Sequence, residues 1–322
     1  MVYLQQKQPG KAFTLPMVID IYTGGKIESH KIRMDKKFDT LIFTLSARPD
    51  LLNVDASKTL LLSKTDRKSL DQYAFQYAHA PLYIDRYEAL EAAIKNKAAK
   101  ESQHILEAAL RDKFYKIKMK AIQALDLSNE DTISRYLKSL KDIAINDSNN
   151  QVRAAAIIAL SESKMSDHTA LFKKSLHTES YAIQAAALNA LGKSSPSEAL
   201  LLARPFERDK NKAISDVVLS LYTTYGGNDQ WSYIYDLFQS LTPPKRNNII
   251  QQFARLTGQV ESAEFAIQGI VAIQNLGILA KQYGLAPKYI ELLNEIKRMR
   301  LLLNDPTSVQ QVNEAIIEIE KH

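Results

Sequence analysis

Val152-Arg153-Ala154-Ala155-Ala156-Ile157-Ile158-Ala159-Leu160 decides the fold, and Ile183-Gln184-Ala185-Ala186-Ala187-Leu188-Asn189-Ala190-Leu191 repeats it. Each stretch carries apolar residues at helical spacing, small alanines on one side, and an Ala-Leu end. Lys118 to Leu125 matches them, and Ile214 to Leu221 matches more loosely. The terminal leucines, Leu125, Leu160, Leu191 and Leu221, stand 35, 31 and 30 residues apart, and Ala89-Leu90 adds an earlier end another 35 residues upstream. A period of that length predicts an array of helix pairs. Ala155, Ala156 and Ala159, like Ala186, Ala187 and Ala190, let neighbouring helices approach closely, while Ile157, Leu160, Leu188 and Leu191 fill the shared interior. Each pair buries its apolar face only by stacking on the next.

Outward from these stretches, periodic apolar residues run from Asp66 almost to the C-terminus, with longer helices and no period after Val260. Ser195, Pro196 and Glu198 predict a helix starting at Pro196, with a capping hydroxyl, a proline in the first turn and a carboxylate reaching back. Thr242 before Pro243 and Pro244 predicts a second such start, and Gly192, Gly226, Gly258 and Gly284 are read as helix stops. Upstream, Phe13, Leu15, Met17, Ile19 and Ile21 alternate with Thr14, Pro16, Val18, Asp20 and Tyr22, the period of a strand with one buried face. Thr23, Gly24 and Gly25 make a turn; Lys26 to Met34, Leu41 to Leu45 and Thr59 to Leu62 are read as further strands. The expected fold is α+β: a small antiparallel β-sandwich over residues 1–65, then an all-α HEAT/armadillo-like α-α superhelix over residues 66–322. A β piece of about 65 residues leans on a neighbour for stability.

The second-helix pattern of HEAT repeats, an Asp in the turn before a Val-Arg pair and an Ala-Leu end, resembles Asp147, Val152, Arg153, Ala156, Ala159 and Leu160. In that family the Asp and Arg brace adjacent repeats, which implies a structural rather than ligand-binding role for Arg153.

The chain has 322 residues, 45% hydrophobic and 24% charged, enough for a sizeable core. Its uninterrupted apolar runs, such as Leu60 to Leu62 and Ala154 to Leu160, fall short of the roughly 20 residues that span a bilayer, so no membrane partner is expected. The N-terminus lacks the charged, apolar and small-residue succession of a signal peptide. With no cysteine, disulfides, thiolate metal sites and cysteine nucleophiles are excluded, and cytoplasm and periplasm both stay open. The net charge is +6, from 42 basic and 36 acidic residues. Arg111, Lys113, Phe114, Tyr115, Lys116, Lys118 and Lys120 form the best nucleic-acid candidate, but a solvated helix face is the favoured reading, so no nucleic-acid partner is expected.

No complete catalytic, cofactor or metal constellation emerges, and no site residue is assigned. The histidines, His30, His79, His104, His168, His177 and His322, nowhere show the i, i+4 spacing around a Glu that a helix-borne zinc site needs. His79 is read as a core or interface histidine. Ala187, Gly192, Lys193 and Ser194 form a degenerate phosphate loop, but a helix precedes them where a strand is required; Gly192 as a left-handed cap explains them better. No Gly-x-Ser-x-Gly elbow is supported, and Asp71 with Glu88, or Glu318 with Glu320, are ordinary helix charges. Tyrosine is common, 15 residues against 10 phenylalanines and one tryptophan. Tyr222, Tyr225, Tyr233 and Tyr235 are assigned to packing ahead of peptide binding.

Tyr3-Leu4-Gln5-Gln6, Phe13-Thr14-Leu15-Pro16, Leu52-Asn53-Val54-Asp55 and Lys58-Thr59-Leu60-Leu61, followed by Tyr77, Ala78, Ala80, Tyr83, Asp85, Arg86, Ala89 and Leu90, resemble the C-terminal half of aminopeptidase N family zinc metallopeptidases. In that family a thermolysin-like catalytic domain precedes a β-sandwich, and a helical domain curves over the active site. The resemblance implies a noncatalytic C-terminal region that encloses the active site and controls peptide access. Its partners would be the catalytic domain of the same polypeptide and peptide substrates, with zinc only in that missing domain. The Gly-x-Met-Glu-Asn and His-Glu-x-x-His motifs are absent, so no catalytic or metal residue carries over. A chain opening on a strand at Val2 fits a fragment or a natural truncation. The alternative is a free-standing HEAT-type scaffold that binds a protein or an extended peptide.

Overall fold

A computed structural model describes residues 1–163 and 167–321, and its contacts divide into two compact units, Met1–Asp126 and Leu127–His322. In the first unit, β1 (Val2–Gln5) pairs with β4 (Phe38–Leu41), and β2 (Leu15–Thr23) lies between β3 (Lys26–Met34) and β5 (Leu51–Val54); all pairings are antiparallel. The β2–β3 hairpin closes at Gly24 and Gly25, with φ of 56° and 77°, values that favour glycine and match the twist of the strands. Met17, Ile19 and Ile21 are buried as their alternation predicts.

Two strand expectations need correction. The segment Leu41 to Leu45 pairs only to Leu41, because its partner β1 is four residues long and the ladder ends where Val2 faces Leu41. Thr59 to Leu62 is not a strand: Leu62 N–H bonds back to the Leu60 carbonyl, a tight local turn that leaves Leu61 fully exposed.

Four helices complete this unit: α1 (Leu70–His79), α2 (Tyr83–Lys95), α3 (Lys100–Ala109) and α4 (Tyr115–Ala124). They pack as successive pairs, with α1 beside α3 and α2 beside α4. A Ser69/Gln72 capping box starts α1. Tyr22 on β2 meets Phe75 of α1 edge to face at 5.8 Å.

The second unit contains α5 (Glu130–Asn146), α6 (Asn150–Ser161), α7 (Thr169–Ser175), α8 (Tyr181–Ser194), α9 (Pro196–Ala203), a 3-10 turn at Arg204–Phe206, α10 (Lys212–Tyr225), α11 (Asn228–Ser240), α12 (Pro243–Gln259), α13 (Ala263–Lys281), α14 (Ala286–Leu302) and α15 (Pro306–Lys321). The second helices α6, α8, α10, α12 and α14 pack in succession, each against the next. The alanine-rich stretches are α6 and α8, whose Val152, Ala156, Ile157, Ala187, Leu188 and Leu191 are completely buried. The fold is therefore α+β, two small antiparallel sheets followed by stacked helix pairs.

Helix α9 begins at Pro196 and α12 at Pro243, as expected, but neither Ser195 nor Thr242 makes a side-chain cap. Glu198 does not reach back; its carboxylate pairs with Lys173 at 2.5 Å. Gly192 and Gly258 are not helix stops. Both lie inside helices, where a Cβ on Gly192 would sit 2.3 Å from Leu221 Cδ2 and one on Gly258 2.7 Å from Met299 Sδ. A side chain at either position would require Leu221 or Met299 to move, because α8 packs on α10 and α12 on α14.

Toward the C-terminus the interior turns aromatic. Trp231 stacks on Tyr235 and Phe265 at 5.5 and 5.9 Å, Phe238 on Phe253 at 3.8 Å, and Trp231 Nε1 donates to Gln268 Oε1 at 3.0 Å. Among the described residues one helix, α13, is long and apolar enough to cross a membrane by length and composition. It packs against α12, α14 and α15, and that burial accounts for its apolarity.

Candidate functional site

The densest polar cluster lies in the first unit, where the chain passes from β5 into α1 and α2. Asp55 and Lys58 turn it sharply at φ of 53° and 50°. Lys58 Nζ then reaches Asp85 Oδ1 at 2.9 Å, Asn53 Oδ1 at 3.2 Å and Glu88 Oε1 at 3.6 Å, and Asn53 Nδ2 donates to Asp85 Oδ1 at 3.0 Å. Lys64 pairs with Asp66 and Glu88 and donates to the Val54 carbonyl; Lys68 pairs with Asp66 at 2.7 Å and donates to Gln76 Oε1 at 2.6 Å. Gln76 closes the ring by donating to the Asp85 carbonyl and Glu88 Oε2.

Three lysines thus face three carboxylates, a balance required when such charges leave water. Burial lowers the Lys68 ammonium below its usual range, with the Lys64 charge adding to the effect against Asp66. Burial would raise Asp66, but Lys68 and Lys64 together hold it low.

A second knot adjoins the first. Arg86 Nε donates to Asp112 Oδ2 at 2.7 Å, Tyr77 Oη to the same oxygen at 2.7 Å, and the Phe114 amide to Asp112 Oδ1 at 2.8 Å. Burial pushes the Asp112 carboxyl up, but these donors outweigh it and keep the group below its ordinary range. Burial and the same carboxylate push the Tyr77 phenol far up. The Arg86–Asp112 pair ties α2 to the turn before α4, a brace between successive helix pairs. Arg153 has a different anchor: its Nε donates to the Ala144 carbonyl of α5 within its own pair.

These knots gather residues that carry the sequence resemblance: Asn53, Lys58, Tyr77, Asp85 and Arg86, with Ala80, Ala89 and Leu90 buried beside them. At the other end of the module, Gln6 donates to the Phe13 carbonyl at 2.8 Å and accepts from the Phe13 amide at 2.9 Å, joining two more of its motifs. The cluster holds chain segments together, with Asp85 Oδ2 left buried and unbonded among the described residues.

The basic run beside it is partly neutralised. Lys120 pairs with Glu91 and lies 5.0 Å over the Tyr87 ring, and Lys118 also has a partner within the chain. Arg111, Lys113 and Lys116 remain exposed. Tyr83, Tyr87, Phe114 and Tyr115 form a half-exposed aromatic ladder, Tyr83 contacting Phe114 at 4.7 Å and Phe114 contacting Tyr115 at 5.3 Å.

The remaining candidates are dispersed. His79 is exposed at the end of α1, its ring on Phe75 at 4.2 Å, so it is not a core residue. The buried histidine is His168, just before α7, with Nε2 unbonded. Nothing in its sequence neighbourhood distinguishes it from the exposed His177. His322 lies outside the described residues. Ala187, Gly192, Lys193 and Ser194 are all within α8, and Lys193 pairs with Glu162, so they form no phosphate loop. Tyr222 is buried and donates to Glu207 at 2.5 Å, meeting Tyr233 edge to face; Tyr235 stacks on Trp231, and Tyr225 is exposed. Among the described residues no group of three or more His, Asp and Glu side chains is placed to hold a metal.

Residues 137–213 match the family profile of HEAT repeats, covering α5 from its middle to the start of α10. No curated protein matches the sequence. The helical region is HEAT-like over these residues.

Proposed function

We propose that this scaffold is the noncatalytic C-terminal region of a zinc aminopeptidase, enclosing the active site of a catalytic domain in the same polypeptide and limiting peptide access to it. One observation carries the reading. The residues that carry the resemblance are scattered over Tyr3 to Leu90, yet several of them meet in the knots that fasten the β module to α1 and α2. A family likeness concentrated on a buried polar network is a likeness of fold, since such networks depend on every member. On this reading zinc and the catalytic residues belong to the other domain, the ligands are peptides, and neither nucleic acid nor membrane is a partner.

The coding frame upstream of Met1 tests it. A continuous frame encoding His-Glu-x-x-His and a downstream Glu supports the reading, whereas an in-frame stop before any such segment overturns it. Turnover of aminoacyl arylamides by the isolated chain with added zinc would also overturn it. The second reading, a free-standing scaffold for a protein or extended peptide, is favoured by the HEAT match itself, because stacked repeats present extended surfaces.

A further inference from the structure

Helix α14 has an uncovered face. Its inner side, with Tyr289, Leu293, Ile296 and Arg300, is buried in the second unit. The side turned away from them carries Pro287, Ile290, Glu291, Asn294, Lys297, Arg298 and Leu301, all on this one helix. These positions recur every three or four residues, so they form one stripe along the helix. Among the described residues α12, α13 and α15 pack on α14, yet Leu301 is 56% exposed and neighbouring Leu302 84%.

About Asn294 the stripe is complementary in charge, an acid on one side answering a base on the other, which suits a second copy of the same helix. Glu291 and Lys297 lie three residues to either side of it, Ile290 and Arg298 four, Pro287 and Leu301 seven. We propose that α14 packs antiparallel on α14 of a second copy, with the two-fold axis at Asn294.

That arrangement places Glu291 of each copy opposite Lys297 of the other, giving two ion pairs. It also sets Pro287 against Leu301 twice, and Ile290 against the aliphatic stem of Arg298 twice. The two Asn294 amides meet on the axis, where each supplies both a donor and an acceptor. A parallel pairing would instead put Glu291 on Glu291 and Lys297 on Lys297. Glu291 and Arg298 form no ion pair within the chain among the described residues, and Lys297 donates one bond to Asn313 Oδ1 at 2.6 Å, leaving further donors. A single helix pair buries less surface than a standard interface, so the dimer is weak, with a dissociation constant on the order of 10–100 µM.

Sedimentation of the full chain from about 1 to about 300 µM tests it. The wild type should shift from monomer to dimer. Glu291→Lys alone and Lys297→Glu alone should each weaken self-association at least about tenfold, since each creates two like-charge contacts. An equimolar mixture of the two variants should restore dimers of mixed composition, because each lysine then faces a glutamate. Circular dichroism of each variant verifies folding. A wild type that stays monomeric throughout overturns the proposal, and so does a dimer that Glu291→Lys leaves unchanged, or a mixture that fails to associate.

Discussion

The two units solve the same problem, joining one helix pair to the next, with a different balance of polar and apolar contacts. In the first, Arg86, Asp112 and Tyr77 bridge successive pairs while Lys58, Lys64 and Lys68 hold three carboxylates at the entry to the helices. In the second, the joints are mostly alanine, glycine and stacked aromatic rings, with Gly192 under Leu221, Gly258 under Met299 and Trp231 on Phe265, while the buried Arg300 adds a polar tie to the Val260 carbonyl and Asp305. A polar joint is specific and brittle, because removing one member strands the others away from water. An apolar joint is tolerant, because a side chain of similar volume refills the space.

The comparison breaks most visibly at Asp112. Asp112→Ala leaves the Arg86 guanidinium, the Tyr77 phenol and the Phe114 amide without their acceptor, and is expected to destabilise the first unit by about 3–5 kcal/mol. Urea unfolding followed by far-ultraviolet circular dichroism reads this directly. A loss below about 1 kcal/mol would mean that the knot does not hold the unit together.

The tolerant joint should give a smaller loss. Phe253→Leu removes a stacked ring from the aromatic interior but keeps most of its apolar volume, so about 1–2 kcal/mol is expected. Trp231, the sole tryptophan, lies in the second unit and reports its unfolding by fluorescence. If Phe253→Leu costs more than Asp112→Ala, the contrast between the joints is reversed.

The same contrast explains what the sequence made legible. The apolar joints could be read because they rest on spacing: Ala89-Leu90, Ala159-Leu160 and Ala190-Leu191 fall on second helices, and Ala124-Leu125 ends another. The polar joints could not, because Asp112 meets Tyr77 across 35 residues and Asp85 meets Asn53 across 32, with no period linking them. Only the family resemblance singled out Asn53 and Tyr77, and nothing in the sequence said that they touch Asp85 and Asp112. Gly192 and Gly258 looked like helix stops because a glycine at a helix crossing has the same letter as one in a left-handed cap. Thr59 to Leu62 looked like a strand because its β-compatible residues say nothing of whether a partner strand is within reach.

The units should also respond differently to acid. His168 in the second unit is buried with Nε2 unbonded; burial and the Lys141 charge lower its pKa against the weaker pull of Asp167. The unfolded chain therefore binds the proton more readily, and stability falls as pH drops below the ordinary imidazole value of about 6.5. Asp112 has a depressed folded pKa, so its contribution is present above the ordinary carboxylate value of about 4 and is lost only as pH falls below it. Between pH 7 and 5 the Trp231 signal should report weakening of the second unit, and His168→Gln should flatten that slope. An unchanged slope in His168→Gln would assign the effect elsewhere.

The smallest expected effect lies at the surface of the first unit, where the polar joint meets solvent. Lys120 is half-exposed, pairs with Glu91 and sits over the Tyr87 ring, so Lys120→Met keeps the packing stem but loses both electrostatic contacts. Solvent screens such pairs, and the cost should stay below about 1 kcal/mol and shrink further in salt. The same variant separates two roles for the basic run. If Lys120 is a structural pair, any weak, salt-sensitive affinity of the chain for single-stranded nucleic acid is unaltered by the substitution. A clear drop in that affinity, with a shallower salt dependence, would instead place Lys120 with Arg111, Lys113 and Lys116 in a phosphate-binding face.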